Sequence, residues 1–298
     1  MRDEVAPYPL PEERQTVRVK LFQSLLLIIV VALLVAGANP KSAARGSFHS
    51  TLTARTLRVM TYNIHVGVGM DKKLDLPRIA AVIKDQHADL VGLQEVDRGV
   101  ERTQRIDEIA ELAKLTQMDY AFAFNLKYQG GQYGVAILSR YPIKSFDHRL
   151  YKNTREAERR GFIRAEVSVG GRTVNFVTTH LDYQYDDGRL FEAQQLLGAL
   201  KNVTAPLIVV GDFNDVPAGG AYKLMRDQFD DAWIDGRLTD PGYSYPADKP
   251  AKRIDYILFR QGDRIRTKKA WTVSTLASDH VPVVADLEIA RWSLSLGQ

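Results

Sequence analysis

The chain has 298 residues, 45% of them hydrophobic and 26% charged, with a formal net charge of +4 and no cysteine. That apolar content is ample for one large α/β domain or two small ones. The absence of cysteine excludes structural disulfides, thiolate-held zinc or iron–sulfur centres, thiol catalysis and the lipidated cysteine of a bacterial lipoprotein.

The charge is uneven. Seven basic and four acidic residues in the first 56 positions carry +3 of the +4, leaving about +1 for residues 57–298. A surface dedicated to coating DNA is not expected from that balance, although a local basic patch remains compatible with it. Residues 1–20 are polar and end in Arg14, Arg18 and Lys20, after which Leu21 to Ala38 form an apolar run broken by Gln23 and Ser24. At the α-helical rise such a run spans ~27 Å, enough for a bilayer core. Ala36-Gly37-Ala38 also fits the small-x-small pattern cut by signal peptidase. Residues 1–20 therefore read as a cytoplasmic leader, and 21–38 as either a cleaved signal peptide or a membrane anchor. Both readings place residues 40–298 outside the cytoplasm, as a periplasmic, secreted or membrane-anchored protein. Residues 39–56, rich in Ser, Thr, Ala, Gly and Arg, read as a linker.

From Leu57 onward, strand and helix signals alternate. Hydrophobic patterning predicts strands at 57–63, 89–94, 134–139, 163–169, 172–179, 207–211, 254–259, 268–273 and 281–288. It predicts helices at 76–86, 104–117, 189–201 and 219–228. Pro77 falls near the first helix start, and Leu190, Ala193, Leu196, Leu197 and Leu200 form one stripe of the third helix. Gly170-Gly171 separates two alternating runs and marks a hairpin. Hairpins mixed with helical crossovers imply mixed sheets with helices covering their outer faces.

Six of these segments carry polar side chains at a strand end: Thr61-Tyr62-Asn63-Ile64-His65, Leu93-Gln94-Glu95-Val96-Asp97, Thr179-His180-Leu181-Asp182, Asp212-Phe213-Asn214, Arg253-Ile254-Asp255-Tyr256 and Ser278-Asp279-His280. Carboxylates beside a Val/Ile core are costly to bury without a metal or a hydrogen-bonded partner, so the clusters are expected to converge on one site. Asp212 and Asn214 are two residues apart, which a strand would place on one face. Phosphoester cleavage would need charge neutralisation on nonbridging oxygens, an activated in-line water and help for the leaving oxygen. A hard cation with oxygen ligands, Mg²⁺ rather than zinc and with Mn²⁺ as substitute, suits such residues. Glu95 is the first candidate ligand, because it follows an apolar strand with no basic neighbour.

Together with Gln132-Tyr133-Gly134-Val135-Ala136-Ile137-Leu138-Ser139-Arg140, these motifs occur in an order that resembles the endonuclease/exonuclease/phosphatase superfamily over roughly residues 57–290. The resemblance implies an α/β fold of four layers, two mixed β-sheets packed as a sandwich with helices on both outer faces, and leaves 291–298 as a tail. It implies a metal-dependent phosphoric ester hydrolase with Glu95, Asn63 and Asp279 at the metal, although Asn63 also suits a turn or cap. It places Asp212 and Asn214 at the attacking water, His280 on a phosphate oxygen with Asp255 at its other ring nitrogen, and His180 as a second phosphate-binding imidazole. Tyr133 either points its hydroxyl into the site or packs; Arg160 either clamps a phosphate or is solvated. Asp215 reads as structural. His65 departs from the pattern of some abasic-site nucleases, which carry an acidic ligand there, so fewer carboxylates at the metal are implied. Candidate substrates are nucleic acid, a phospholipid headgroup or a small phosphorylated metabolite, with membrane association through residues 21–38. The alternative is a membrane-tethered module of the same fold that binds a phospho-ligand with little catalysis.

Overall fold

The computed structural model describes residues 55–290; the apolar run at 21–38, most of the linker and the tail at 291–298 lie outside them. The elements run β1 (Arg55–Asn63), α1 (Leu76–Asp85), β2 (Leu90–Arg98), α2 (Glu108–Thr116), β3 (Asp119–Tyr128), β4 (Gly131–Ser139), β5 (Ile143–Leu150), β6 (Gly161–Val169), β7 (Arg172–His180), α3 (Asp186–Leu200), β8 (Leu207–Asp212), α4 (Gly220–Arg226), β9 (Phe229–Asp231), α5 (Ala232–Asp235), β10 (Asp255–Arg260), β11 (Ile265–Thr272) and β12 (Val283–Ile289). Two six-stranded sheets result, ordered β11-β12-β1-β2-β4-β3 and β5-β6-β7-β8-β10-β9.

Each sheet has one parallel pair at its centre, β1 with β2 and β7 with β8; all the other pairs are antiparallel. A parallel pair needs a crossover, and α1 and α3 supply it on the outer faces. The central strands are apolar on both faces because both faces are covered. Leu57 and Val59 of β1, and Ile208 and Val210 of β8, pack in the layer between the sheets. Their neighbours Met60 and Tyr62 face α1, while Leu207 and Val209 pack in the cluster of Leu196, Leu200 and Met225 from α3 and α4. The predicted sandwich with helices outside both sheets is the architecture observed.

Local signals set the element ends. Asp75 caps α1 by accepting from the Arg78 amide at 2.9 Å, with Pro77 in the first turn. Gly170 and Gly171 take φ of 59° and 81°, the paired positive values that a two-residue hairpin between β6 and β7 requires. In α3, Ala193, Leu196, Leu197 and Leu200 are buried as the stripe predicted, Leu190 is half-buried, and the helix starts three residues earlier, at Asp186. The second predicted helix is shorter than its pattern: α2 begins at Glu108, because Gln104 and Arg105 hold positive φ and Asp107 caps the first turn.

Strands β3, β5 and β9 are absent from the predicted set. β3 and β5 are edge strands, and β3 turns small or polar residues (Ala121, Ala123, Asn125) inward while Tyr120, Phe124 and Tyr128 are exposed. β5 has no fully buried residue at all. Alternation read as apolar-in, polar-out fails on both.

Candidate active site

The strand register delivers the site. His180 pairs with Asp212 across the parallel β7–β8 ladder, and Asp255 pairs with Asp212 across β8–β10. Three titratable side chains thus stand at one level on three adjacent strands. In the other sheet, Asn63 ends β1 opposite Gln94 of β2. Gln94 itself turns inward and its amide donates to Thr178 Oγ1 at 2.7 Å and Thr61 Oγ1 at 3.2 Å, a buried polar bridge between the sheets just beneath the cleft.

Glu95 reaches the cleft through a β-bulge. The β2–β4 register slips between Leu93 and Val96, and both of those residues pack on the outer face, a spacing that an unbulged strand forbids. Glu95 is the displaced residue, with φ 57°, a conformation that non-glycine residues hold only where the surroundings impose it. One Glu95 oxygen accepts from Asn63 Nδ2 at 2.9 Å; the other has no hydrogen bond among the described residues. Asn63 Nδ2 also lies 3.1 Å from Asp212 Oδ2, and its Oδ1 accepts from the His65 amide at 3.0 Å. Asn63 therefore links the two acidic groups and anchors the following turn.

Asp212 is 1% exposed. Its Oδ1 accepts from the Asn214 amide at 2.8 Å, and its Oδ2 lies 3.5 Å from His180 Nε2 and 3.6 Å from His280 Nε2. Asn214 does not continue the strand, as two-residue spacing suggested. β8 ends at Asp212, Phe213 anchors the turn in the core, and Asn214 reaches the cleft at φ 49°. The short side chain of Asn tolerates that left-handed conformation. Burial, then the Asp255 carboxylate, push Asp212 up to about 7, against the pull of His280.

His280 Nδ1 sits 2.8 Å from Asp255 Oδ2, and its ring lies 4.8 Å from that of Tyr245. Burial pulls its pKa down, but the Asp255 and Asp212 carboxylates outweigh burial and hold it at about 10. Atoms of Asp212, Asp255 and His280 lie within 4.8 Å of one another, close enough to surround a cation. An imidazolium offers no lone pair, however, so the group reads as a hydrogen-bonded ion triad rather than a ligand set.

His180 behaves in the opposite way. Burial, then Arg160 and His280, drive its pKa well below the usual value, so the ring is neutral. Arg160 Nη1 approaches His180 Nδ1 at 2.6 Å, and a guanidinium can only donate. The His180 proton therefore sits on Nε2, 3.0 Å from the Asn214 side-chain amide and 3.5 Å from Asp212 Oδ2, while Asn214 Nδ2 donates to Leu181 O at 3.0 Å. Arg160 is 3% exposed and also pairs with Glu158 at 3.2 Å. Burial and then Glu95 raise the Tyr133 hydroxyl well above its usual value, while the Arg160 charge draws it down.

Asp279 faces the same cleft, its Oδ1 3.9 Å from His65 Nδ1 and its Oδ2 without a hydrogen bond among the described residues. Ser278 Oγ donates to the Asn63 carbonyl at 2.8 Å, tying this loop to the end of β1. Asp215 also borders the cleft, and it accepts from the Tyr222 amide at 3.0 Å, which fixes the entry to α4. The cleft measures about 870 Å³, and its wall includes Glu95, Tyr133, Arg160, His180, Asp212, Asn214, Asp279 and His280. Asn63 and Asp255 stand directly behind that wall.

Residues 60–280 match the model of the Endonuclease/Exonuclease/phosphatase family. The chain belongs to this family. Among its relatives is YbhP of Escherichia coli (strain K12), 26% identical over 248 residues that cover 78% of this chain and 97% of YbhP. A putative neutral sphingomyelinase of Caenorhabditis elegans is 26% identical over 270 residues, covering 72% of this chain and 60% of that protein. An endonuclease/exonuclease/phosphatase family structure from Bacteroides thetaiotaomicron superposes with a TM-score of 0.68 at 16% identity, over 80% of this chain and all of that one. The last likeness concerns the fold. Family membership makes phosphoesterase-type chemistry the class of function to which this site belongs.

The structure thus gathers all ten residues singled out from the sequence at one end of the sandwich. The motifs did not reveal Arg102, Glu158, Tyr183, Arg189 and Tyr245, which also line the cleft. Arg189 lies in the first turns of α3 and the others on loops and short turns rather than at strand ends, and no spacing rule marks them.

Proposed function

We propose that this chain is an exported, Mg²⁺-dependent phosphoesterase, with Mn²⁺ as a substitute ion, that hydrolyses a phosphodiester or phosphomonoester. The observation that carries the reading is the setting of Asp212: a buried carboxylate poised near neutrality, aimed by the Asn214 amide and Asn63, beside a cationic imidazole. A general base is most effective when its pKa lies near the working pH. Asp212 takes the proton of the attacking water, with Asn63 and the Asn214 amide fixing the direction of its lone pairs. His280 donates from Nε2 to a phosphoryl oxygen, and Asp255 keeps that ring charged and oriented. Arg160 and neutral His180 supply further donors on the same wall.

The donor set fits a hard divalent ion. Glu95 and Asp279 both face the cleft, each with an oxygen free of hydrogen bonds among the described residues, and the chain has no cysteine thiolate to offer. When bound, such an ion neutralises nonbridging phosphate oxygens. Asn63 would then position Glu95 toward it. The size of the cleft suits a small phosphorylated molecule or a phospholipid headgroup. The near-neutral balance of residues 57–298 weakens the case for a polynucleotide. Export rests on the apolar run at 21–38 and its basic leader.

The test is a screen of the purified full-length chain on bis-p-nitrophenyl phosphate, sphingomyelin, inositol phosphates, and single- and double-stranded DNA. At least one phosphoester is expected to turn over, to stop with excess EDTA and to resume with Mg²⁺ or Mn²⁺. Full activity in EDTA would remove the metal from the proposal; binding without turnover would favour the non-catalytic module. For export, a C-terminal alkaline phosphatase fusion is expected to be active and a β-galactosidase fusion inactive, and the reverse pattern would reject it.

A further inference from the structure

Arg102 plays no part in the chemistry above, yet it is a firmly held cation on the cleft wall. Asp97, two residues beyond Glu95 on β2, is wholly buried. It accepts from Arg102 Nε at 2.7 Å and Nη2 at 2.9 Å, and Thr103 Oγ1 adds a contact at 3.2 Å. The guanidinium carbon lies 4.7 Å from the ring centre of Tyr128 and 5.3 Å from that of Tyr133. The Arg102 amide is itself bonded to Gln129 Oε1 at 2.9 Å, which fixes the turn that carries it. A bidentate carboxylate and two aromatic contacts remove most of the freedom an arginine side chain ordinarily has. Arg102 keeps 36% of its side chain exposed, and Nη1 has no hydrogen-bond partner among the described residues. Asp97 lies behind the guanidinium with no exposed side-chain surface, so the cleft meets a donor edge and not the carboxylate that balances it.

The placement is informative as well. Tyr133 has Arg102 over its ring and shares the cleft wall with Arg160. Arg160 belongs to the Asp212 centre through His180. Arg102 is therefore set apart from the reacting phosphate by a phenol side chain, on the rim where exposed Tyr128 ends β3. We propose that Arg102 is a substrate-binding residue that recognises a second anionic group, carried by the same molecule as the phosphate at Asp212. This rests on the phosphoesterase reading and narrows its substrate class to phosphoesters bearing another phosphate or a carboxylate. A planar donor fork with one edge held by Asp97 presents its other edge to such oxygens.

Calorimetric titration of the full-length chain with thymidine 5′-monophosphate and thymidine 3′,5′-bisphosphate tests the assignment, since the two differ by one phosphate. The wild type is expected to bind the bisphosphate about tenfold or more tightly than the monophosphate, the scale of one charge-assisted contact. Arg102→Gln should erase that preference and leave monophosphate binding within about twofold. Removing Arg102 alone leaves Asp97 buried without its cation, so the double variant Asp97→Asn/Arg102→Gln, which neutralises both, is measured beside it. The same loss in both variants supports the subsite. An unchanged preference in either folded variant, or no preference in the wild type, overturns it while leaving the phosphoesterase reading intact. Failure of the wild type to bind either nucleotide overturns the subsite, and the phosphoesterase reading is then decided by the turnover screen alone.

Discussion

The two sheets are built alike and contribute different things. In each, a parallel pair at the centre is flanked on one side by an antiparallel hairpin and on the other by a returning strand. β1 packs against β8 and β2 against β7, so the two parallel pairs lie face to face. The β1–β2 sheet and the loop before β12 bring Glu95 and Asp279, carboxylates suited to a hard cation, with Asn63 holding Glu95 in place. The β7–β8 sheet brings His180, Asp212 and Asp255, where burial drives the His180 pKa down and the Asp212 pKa up. His280 comes from the same loop as Asp279 but makes its partners across the gap, at Asp255 and Asp212. On the proposed mechanism one sheet would bind charge and the other would move a proton, with the site where their ends meet.

This division can be broken from either side, and the larger effect is expected from the second sheet. Asp212→Asn keeps the shape and removes the base, so kcat should fall by ~10²–10⁴-fold while Mn²⁺ binding, followed by electron paramagnetic resonance, stays near that of the wild type. Equal loss of ion binding would mean that Asp212 belongs to the cation set. The converse variant, Glu95→Gln, should weaken Mn²⁺ binding by roughly 10–100-fold, the scale seen when metal-site partners are removed, and leave the alkaline limb of the rate profile unmoved.

The pH profile sharpens the contrast. Asp212 must lose its proton to act, so kcat/KM should rise as pH passes through about 7. His280 must keep its proton, so the rate should fall as pH passes through about 10. A bell with those limbs is expected, and Asp255→Asn should move the alkaline limb down, because the carboxylate that raises His280 is gone. An alkaline limb that stays in place would separate Asp255 from His280. The smallest effect concerns the seam. Gln94→Leu leaves the buried hydroxyls of Thr61 and Thr178 without the shared amide and should lower stability by about 1–3 kcal/mol in chemical denaturation, with the pH profile retained.

The sequence showed the strand-end clusters well because they break a strong pattern: an apolar strand covered on both faces has no other reason to finish in Asp, Asn or His. It did not show how the side chains get there. Glu95 needs a bulge and Asn214 a left-handed turn, and neither leaves a mark in composition, since both depend on the partner strand or the following loop. Edge strands β3 and β5 were illegible for a related reason: with only one neighbour each, and small or half-exposed side chains, they carry no two-sided burial to read. Arg102 was hidden further still, as its role depends on Asp97 and two tyrosines that meet only in the fold.

Gly92 lies on β2 two residues before Gln94, where a Cβ would stand 2.3 Å from Val210 Cγ2 and 2.7 Å from Thr178 Oγ1. The sheets are in direct contact there, with backbone on one side meeting side chains on the other. Together with the Gln94 amide, this contact acts as a fulcrum a short way below the catalytic groups. Widening it by a single methyl group would tilt one row of strand ends against the other, so an alanine at Gly92 would act on the cleft as a lever acts on its load, changing the distance between Glu95 and Asp212 without touching either.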